Sequence, residues 1–149
     1  MKDAQVPDKY DCIRIGNQIC FPLYACAKEI VRQYREPLKA LELTYTQYIV
    51  MIVLWEYGDM TEGELGKIVR LDSGTLAPLL KRLEKQGYIN RIRPDDNERK
   101  LLISLSEEGS LLKDKALEVP RKVSACLKIS EEELVQLKTI LDKLMLNMN

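Results

Sequence analysis

Apolar residues recur at helical spacing near both ends of the chain. In residues 11–40 they stand three or four positions apart, which predicts a mostly helical segment. Pro22 interrupts this segment, so either the helix kinks there or a new helix begins with Pro22 in its first turn, and Pro37 predicts a second bend. A capping box opens a last predicted helix over residues 130–146, which carries a strong apolar stripe.

Shorter helices are predicted between these ends. Residues 46–56 are apolar nearly all round, which is typical of a buried helix. A second helix is predicted over residues 62–69, and a third, capped by Asp72 or Ser73, runs to Gln86 and ends at Gly87. Two helices joined by so short a turn indicate a helix-turn-helix.

A small β hairpin is predicted after the helix-turn-helix. Two β-prone runs, residues 88–93 and 101–105, flank a charged tip, which is typical of the wing of a winged helix-turn-helix. Ser106 then caps a helix that we expect to continue to about Glu118 and to be ended by Pro120. The sequence therefore predicts a mainly α fold with a small β wing.

The length fits a single domain, residues 1–149. Within it we assign residues 46–105 to the winged helix-turn-helix and residues 11–40 and 106–149 to dimerisation helices. The winged unit is too small to cover the long apolar faces of the first and last helices. We therefore expect an obligate homodimer.

The positive charge of the chain is concentrated in one segment, although the chain as a whole is neutral. The formal net charge of the chain is zero, which argues against binding of polyanions in general. Residues 66–100, however, carry nine lysines and arginines against five acidic residues. A basic lobe on a neutral body favours a site-specific DNA-binding protein.

The absence of histidine and the spacing of the cysteines restrict the kinds of chemistry that the chain can perform. The absence of histidine excludes histidine-based catalysis and histidine metal ligands. The gaps between Cys12, Cys20, Cys26 and Cys126 fit no zinc spacing, so we expect neither a metal nor a cofactor. These thiols either pack or carry redox chemistry. With no apolar run near ~20 residues and a polar N-terminus, we expect a cytoplasmic protein that does not enter a membrane.

Several strings of residues resemble a known family. They include Gln18 to Tyr24 (QICFPLY), Leu43 to Tyr48 (LTYTQY) and Leu71 to Leu76 (LDSGTL). With the order of elements, they resemble the MarR family of dimeric winged-helix repressors, and within it the organic hydroperoxide regulators. The resemblance implies a repressor, not an enzyme, that binds a double-stranded DNA operator and releases it when an organic hydroperoxide oxidises a cysteine.

By this resemblance Cys20 is the peroxide-reactive thiol, and Tyr34 and Tyr45 hydrogen-bond its thiolate, with Tyr24 close by. The residues agree with this role, because a helix start at Pro22 places the positive end of a helix dipole near Cys20 and favours the thiolate. In a continuous helix, Tyr34 lies about 21 Å along the axis from Cys20. Contact between them therefore needs the other subunit.

Cys126 lies about where two-cysteine members of this branch carry a resolving cysteine. It could trap a sulfenic acid at Cys20 as a disulfide. Inert packing of Cys126, with a small thiol capping Cys20 instead, is the alternative. We expect Cys12 and Cys26 to pack or to lie exposed.

The candidate DNA contacts follow from the helix-turn-helix, whose second helix enters the major groove. On that helix we expect Ser73, Thr75 and Lys81 to reach bases or phosphates, and Arg82 to reach a phosphate.

In the wing, Arg91, Arg93, Asn97 and Arg99 are the candidates, and Arg99 matches the family arginine that probes the minor groove. The family usually has an aspartate where Asn97 stands. We expect a weaker hold of the wing on DNA, unless a neighbouring acidic residue takes that place.

Two other functions remain open. One is a repressor of the same family gated by a small aromatic ligand, with the cysteines incidental. The other is a thiol peroxidase, against which the chain lacks an arginine or histidine evidently placed beside Cys20.

Overall fold

A computed structural model describes residues 9–94 and 100–148 of the chain. Two short 3-10 helices, Asp11–Ile13 and Ile15–Asn17, precede the first α-helix. The longer elements then follow in this order: α1 (Cys20–Gln33), α2 (Arg35–Lys39), α3 (Tyr45–Tyr57), β1 (Met60–Thr61), α4 (Glu62–Val69), α5 (Ser73–Lys85), β2 (Ile89–Ile92), β3 (Leu102–Leu105), α6 (Glu107–Ala116), α7 (Glu118–Ser124) and α8 (Glu131–Leu146).

The prolines near the N-terminus begin helices. Pro22 lies in the first turn of α1, where a backbone N–H has no helical partner to lose, and α1 then runs unbroken to Gln33. The second bend comes at Tyr34, between α1 and α2, and Pro37 lies within the short helix that follows. Of the two readings of Pro22, the fresh helix start is confirmed.

Side-chain caps set the starts of the central helices. The Thr44 hydroxyl accepts from the backbone N–H of Gln47, and the Gln47 amide oxygen accepts from that of Thr44, so α3 begins at Tyr45, one residue earlier than expected. Asp72 caps α5 by accepting from the backbone N–H of Thr75 at 2.9 Å. The predicted bounds of α4 are confirmed, with a capping box at its start.

The strands form one antiparallel sheet in the order β1-β3-β2. The predicted hairpin is confirmed by β2 and β3, in which Arg91 lies opposite Ile103. The two-residue strand β1 was not predicted, and it pairs Met60 with Ile103 from the other side. The hairpin tip, residues 95–99, lies outside the described residues.

The prediction that Pro120 ends the helix after β3 is wrong. The helix capped by Ser106 already ends at Ala116, and Pro120 lies in the first turn of the next helix, α7. A proline is tolerated there because the first-turn N–H groups have no helical acceptor. The chain therefore bends just before Pro120 and stays helical to Ser124.

One apolar core joins the central helices to the sheet, and the predicted mainly α fold with a small β wing is confirmed. By contrast α1 and α8, which lie wholly within the described residues, contain no buried side chain. Their large apolar side chains face outward, among them Phe21, Leu23, Tyr24, Leu134, Val135, Leu137, Ile140, Leu144 and Met145, and so does Ile19 just before α1. None of the helices in residues 9–94 and 100–148 is both long and apolar enough to span a membrane.

Candidate thiol site and nucleic-acid interface

Cys20 is the first residue of α1 and is exposed. Ile19 precedes it and has only an apolar side chain, which cannot cap the first-turn N–H groups of the helix. The Phe21 N–H donates to the Gln18 carbonyl and Pro22 has no N–H, so what α1 offers an anion at this position is chiefly the positive end of its dipole. Tyr24 is exposed one turn further along the helix, on the side of Cys20.

Three tyrosines gather at the other end of α1. The ring of Tyr34 lies 4.8 Å from that of Tyr45 and 6.0 Å from that of Tyr48, measured between centroids. Partial burial, and then the neighbouring phenol of Tyr45, raise the pKa of Tyr34 above its ordinary value. Tyr34 therefore keeps its proton at neutral pH and remains a hydrogen-bond donor. Sequence reasoning missed Tyr48, which lies three residues after Tyr45 and so on the same side of α3.

A single chain does not bring Cys20 to these tyrosines. Because α1 is unbroken from Cys20 to Gln33, the thiol and the Tyr34 ring are about 20 Å apart along the helix axis. The fold thus brings Tyr34 and Tyr45 together, places Tyr24 near Cys20, and separates the two groups.

Cys126 lies at the tyrosine end of the molecule. It lines a cavity of about 340 Å³ with Arg32 and Gln33, from the last turn of α1, and with residues of α2 and α7. Its Sγ lies 3.4 Å from the Lys122 carbonyl oxygen, and the residue is exposed. Cys12 and Cys26 are also exposed. Of the three further thiols, Cys126 is therefore the one that lies beside the residues leading into Tyr34.

The helix-turn-helix presents one polar face of α5. Its other face buries Leu76, Leu79, Leu80 and Leu83 in the core. The exposed side carries the four predicted contacts Ser73, Thr75, Lys81 and Arg82.

One of these contacts, Thr75, is already engaged. Its hydroxyl donates to the Asp72 carboxylate at 2.9 Å, and this bond, with that from the Thr75 N–H, lowers the pKa of Asp72. The Thr75 side chain therefore offers a partner an acceptor oxygen and a methyl group.

The arginines of the wing lie in different settings. Arg91 is turned toward the recognition helix: its guanidinium lies 3.2 Å from the Glu84 carboxylate, and its side chain is only 16% exposed. Its Nε is buried with no hydrogen-bond partner among the described residues. Arg93 is exposed at the end of the hairpin strand. Asn97 and Arg99 lie outside the described residues.

A basic cavity beside α5 was missed by sequence reasoning. It has a volume of about 620 Å³ and lies between α4, the start of α5 and the base of the wing. Lys67, Arg70 and Lys100 line it together with Ser73, and the acidic residues Glu62 and Asp72 also lie in its wall, so cations outnumber anions by three to two. These three cations belong to the basic lobe of residues 66–100, but only the fold shows that they converge on one end of the recognition helix.

The chain matches known transcriptional regulators. A family model described as "Transcriptional regulator SarA/Rot" matches residues 32–116. The organic hydroperoxide resistance transcriptional regulator of Bacillus subtilis (strain 168) is 46% identical over 134 residues, 90% of this chain and 91% of that protein. The chain belongs to the MarR family, in its organic hydroperoxide regulator branch.

Solved structures of MarR-family regulators agree with this assignment. Reduced AbfR bound to DNA, a protein of Staphylococcus epidermidis, has a TM-score of 0.82 and 32% identity and covers 95% of this chain and 96% of its own. AbfR with a disulfide formed is also 32% identical, with a TM-score of 0.63 and coverage of 94% and 93%. Of these two AbfR structures, the chain is therefore more similar to the reduced, DNA-bound one.

Proposed function

We propose that this protein is a homodimeric cytoplasmic repressor that binds a duplex DNA operator and releases it when an organic hydroperoxide oxidises Cys20. The observation that carries the proposal is the layout of α1, which has an exposed thiol at its positive end and the Tyr34–Tyr45 ring pair at the other. Its similarity to a regulator of organic hydroperoxide resistance, and to AbfR solved both on DNA and with a disulfide, supports the same function.

The exposed face of α5 is the proposed reader of the major groove. Ser73 can donate to and accept from base edges, whereas Thr75 offers an acceptor and a methyl group, which suits contact with a thymine methyl. Lys81 and Arg82 are proposed phosphate contacts, joined by the cations of the basic cavity, Lys67, Arg70 and Lys100.

The wing is proposed to add minor-groove contacts through Arg93, Asn97 and Arg99. Arg91 differs from them, because its pairing with Glu84 directs it to α5. We assign it to bracing the recognition helix against β2, in place of the DNA contact expected from the sequence.

The outward apolar faces of α1 and α8 are the proposed dimer interface. Their association would cover these side chains and would allow Cys20 of one protomer to meet Tyr34 and Tyr45 of its partner. The tyrosine hydroxyls then hydrogen-bond the thiolate without removing its charge. Each sensing site is therefore composite, with sulfur from one subunit and phenols from the other.

Oxidation is a two-step reaction on sulfur. The Cys20 thiolate attacks one peroxide oxygen, so that an S–O bond forms, the O–O bond breaks and the organic alkoxide leaves and takes up a proton as an alcohol. The resulting sulfenic acid is larger than the thiol and no longer fits the tyrosine donors. The thiolate of Cys126, or of a small thiol, can then attack Cys20 and form a disulfide, with hydroxide leaving and taking up a proton as water.

The deciding experiment measures operator affinity at one fixed salt concentration, before and after treatment with cumene hydroperoxide. We expect Cys20→Ser to bind DNA like the wild type and to remain bound after treatment. Cys26→Ser, an exposed thiol on the same helix, is the matched control and should release DNA normally. Release that persists in Cys20→Ser would reject the redox function.

A second arm of this experiment tests Cys126. If it resolves the sulfenic acid, non-reducing gels of oxidised wild type show a linked dimer, and Cys126→Ser abolishes that band while Cys20 is still oxidised by mass spectrometry. A linked dimer that persists in Cys126→Ser would rule out this pairing and point to another protein thiol, whereas oxidised wild type without a linked dimer would leave small-thiol capping.

One cavity favours a second function, release by a small aromatic acid. A cleft of about 480 Å³ between α1, α2 and α3 is floored by apolar side chains and Tyr45 and rimmed by Lys28, Arg32, Arg35 and Lys39. An aromatic carboxylate has the matching chemistry. This function predicts ligand-induced release of DNA by the Cys20→Ser protein, which the thiol mechanism does not.

A further inference from the structure

A pair of glutamine amides joins the end of the recognition helix to the start of α3. Gln86 is the residue directly after α5, and Gln47 lies in the first turn of α3. The Gln47 Nε2 donates to the Gln86 Oε1 at 3.0 Å. Gln47 is only 5% exposed, so this amide contact is shielded from competition with water.

The amide pair belongs to a chain of hydrogen bonds that begins and ends in the turn between α2 and α3. The Thr44 backbone N–H donates to the Gln47 Oε1 at 2.8 Å, and the Gln86 Nε2 donates to the Glu42 carbonyl at 2.7 Å. Each amide accepts through oxygen and donates through nitrogen, so the dipoles align and reinforce one another. The turn and the end of α5 are thereby fastened together.

The fastened turn has a backbone conformation that needs support. Glu42 has a φ of 54°, in the left-handed region that is unfavourable for a residue with a side chain. Gln86 bonds to the Glu42 carbonyl, and the Tyr88 hydroxyl donates to the preceding carbonyl, that of Leu41, at 3.2 Å. Residues at the end of α5 and the start of the wing thus hold this turn from one side.

The same turn lies between the two tyrosines of the sensing site. Tyr34 directly precedes α2 and Tyr45 is the first residue of α3, and their rings lie 4.8 Å apart. Any displacement of this ring pair moves the ends of the segment 35–44. Gln86 is bonded within that segment, so the displacement reaches the recognition helix.

We propose that Gln47 and Gln86 are positioning residues that couple the tyrosine pair to the recognition helix. In the reduced protein the amide pair holds the end of α5 in the arrangement that fits the major groove. When oxidation of the partner's thiol displaces the tyrosines, the turn shifts, the amide pair separates and α5 loses that arrangement. This inference rests on the proposed redox function.

The test compares operator affinities of reduced and hydroperoxide-treated protein for the wild type and for Gln86→Met, which keeps the length of the side chain but neither hydrogen bond. We expect the reduced variant to bind about tenfold more weakly, since two hydrogen bonds that favour the binding arrangement are lost. The oxidised variant should match oxidised wild type, because the bonds are already broken there. The ratio of reduced to oxidised affinity therefore falls about tenfold, while the rate of Cys20 oxidation is unchanged.

Two further variants complete the test. Tyr88→Phe removes only the bond to the Leu41 carbonyl and should lower the same ratio about threefold, which keeps the inference testable if Gln86→Met does not fold. Ser110→Ala removes an exposed hydrogen bond to the backbone carbonyl of Ser106, at the start of α6, and should leave the ratio unchanged.

Two results would overturn the coupling role while the wild type responds to peroxide. One is an equal loss of affinity in both redox states, which a merely structural role would give. The other is no loss in the reduced state. A wild type that fails to respond would instead overturn the proposed function, and the coupling role with it.

Discussion

In the proposed function, thiol chemistry at Cys20 is expected to depend on groups from outside its own helix turn. The α1 dipole favours an anion at this residue, but a dipole contributes only about 0.3–1 kcal/mol at an exposed site. Hydrogen bonds to a charged group contribute more, roughly 1.5–3 kcal/mol each. The tyrosines of the partner are therefore expected to dominate the reactivity of the sulfur.

Removing one phenol hydroxyl tests that expectation. We expect Tyr34→Phe to slow oxidation of Cys20 by cumene hydroperoxide about tenfold, as the loss of one hydrogen bond to a thiolate implies. The rate is followed by mass spectrometry of quenched samples. Tyr57→Phe, an exposed tyrosine at the end of α3, is the control and should react like the wild type. If Cys20 is oxidised at the same rate in both variants, Tyr34 does not contribute to the reactive site.

The buried phenols also predict a pH dependence of stability. Burial raises the pKa of Tyr34 and Tyr48 in the folded protein, so these groups release their protons at lower pH when unfolded. Their contribution is complete below the unfolded value of about 10 and is lost as pH rises through the folded values. The urea midpoint should fall in this alkaline range, and Tyr34→Phe should reduce the fall. A midpoint that declines already at pH 8 would point to other groups.

Among the elements, α6 and the start of the wing approach each other closely through their backbones. Gly109, in the first turn of α6, lies against the Tyr88 backbone, and a Cβ built there would be 1.9 Å from the Tyr88 carbonyl oxygen. The Trp55 indole donates to the Gly109 carbonyl at 2.8 Å, so α3 is fastened at the same point. The position of the wing relative to α3 therefore depends on the absence of a side chain at Gly109.

Replacing this glycine should be costly. We expect Gly109→Ala to lower the free energy of unfolding by at least about 2 kcal/mol, since backbone atoms must shift to admit the methyl group. Gly63→Ala is the matched control in the first turn of α4, where a Cβ meets nothing within 4 Å. It should be neutral or stabilising by up to about 1 kcal/mol. Urea unfolding of both variants measures the difference, and similar effects would contradict the close packing.

Local side-chain chemistry determined how much of the fold could be predicted. Helices α4 and α8 begin with capping boxes that are visible in the sequence, and their predicted bounds agree with the structure. The two residues of β1 are too few to show a period, and they are a strand only because β3 lies beside them. Pro120 was misread because a proline suits the first turn of a new helix as well as the residue after an old one.

The DNA interface and the candidate thiol site depend on contacts between residues that are far apart in the sequence. Such contacts are harder to predict from the sequence than helices and strands are. The recognition helix was located by its own residues, whereas the basic cavity of Lys67, Arg70 and Lys100 needed three separate segments to meet. The Gln47–Gln86 contact spans 39 positions and carries no local signal. The proposed pairing of Cys20 with tyrosines of the other subunit is harder still to predict, because no local pattern in the sequence places the two ends of α1 next to each other.

At the scale of the whole molecule, α8 offers a test of the dimer. We expect Ile140→Glu to weaken dimerisation by at least about a hundredfold, since symmetry places two charged side chains where apolar ones were buried. Operator affinity should fall with it. Lys138→Glu adds the same side chain on the opposite face of α8 and should remain dimeric. Sedimentation at micromolar concentration distinguishes them, and a wild-type monomer would refute the interface.

Because α1 is unbroken, each proposed site takes its thiol from one subunit and its tyrosines from the other, and this has a consequence for cells that carry two different alleles. A Cys20→Ser allele and a Tyr34→Phe allele each damage both sites of their own dimers. In a cell that carries both, mixed dimers have one site with both defects and one site with none. Purified mixed dimers of the two variants should therefore keep one site that oxidises at the wild-type rate, whereas the Cys20→Ser homodimers stay on the operator and maintain repression. When one gene carries both changes and the other is wild type, each site of the mixed dimer has one defect. The double mutant should therefore be more dominant over the wild type than either single mutant.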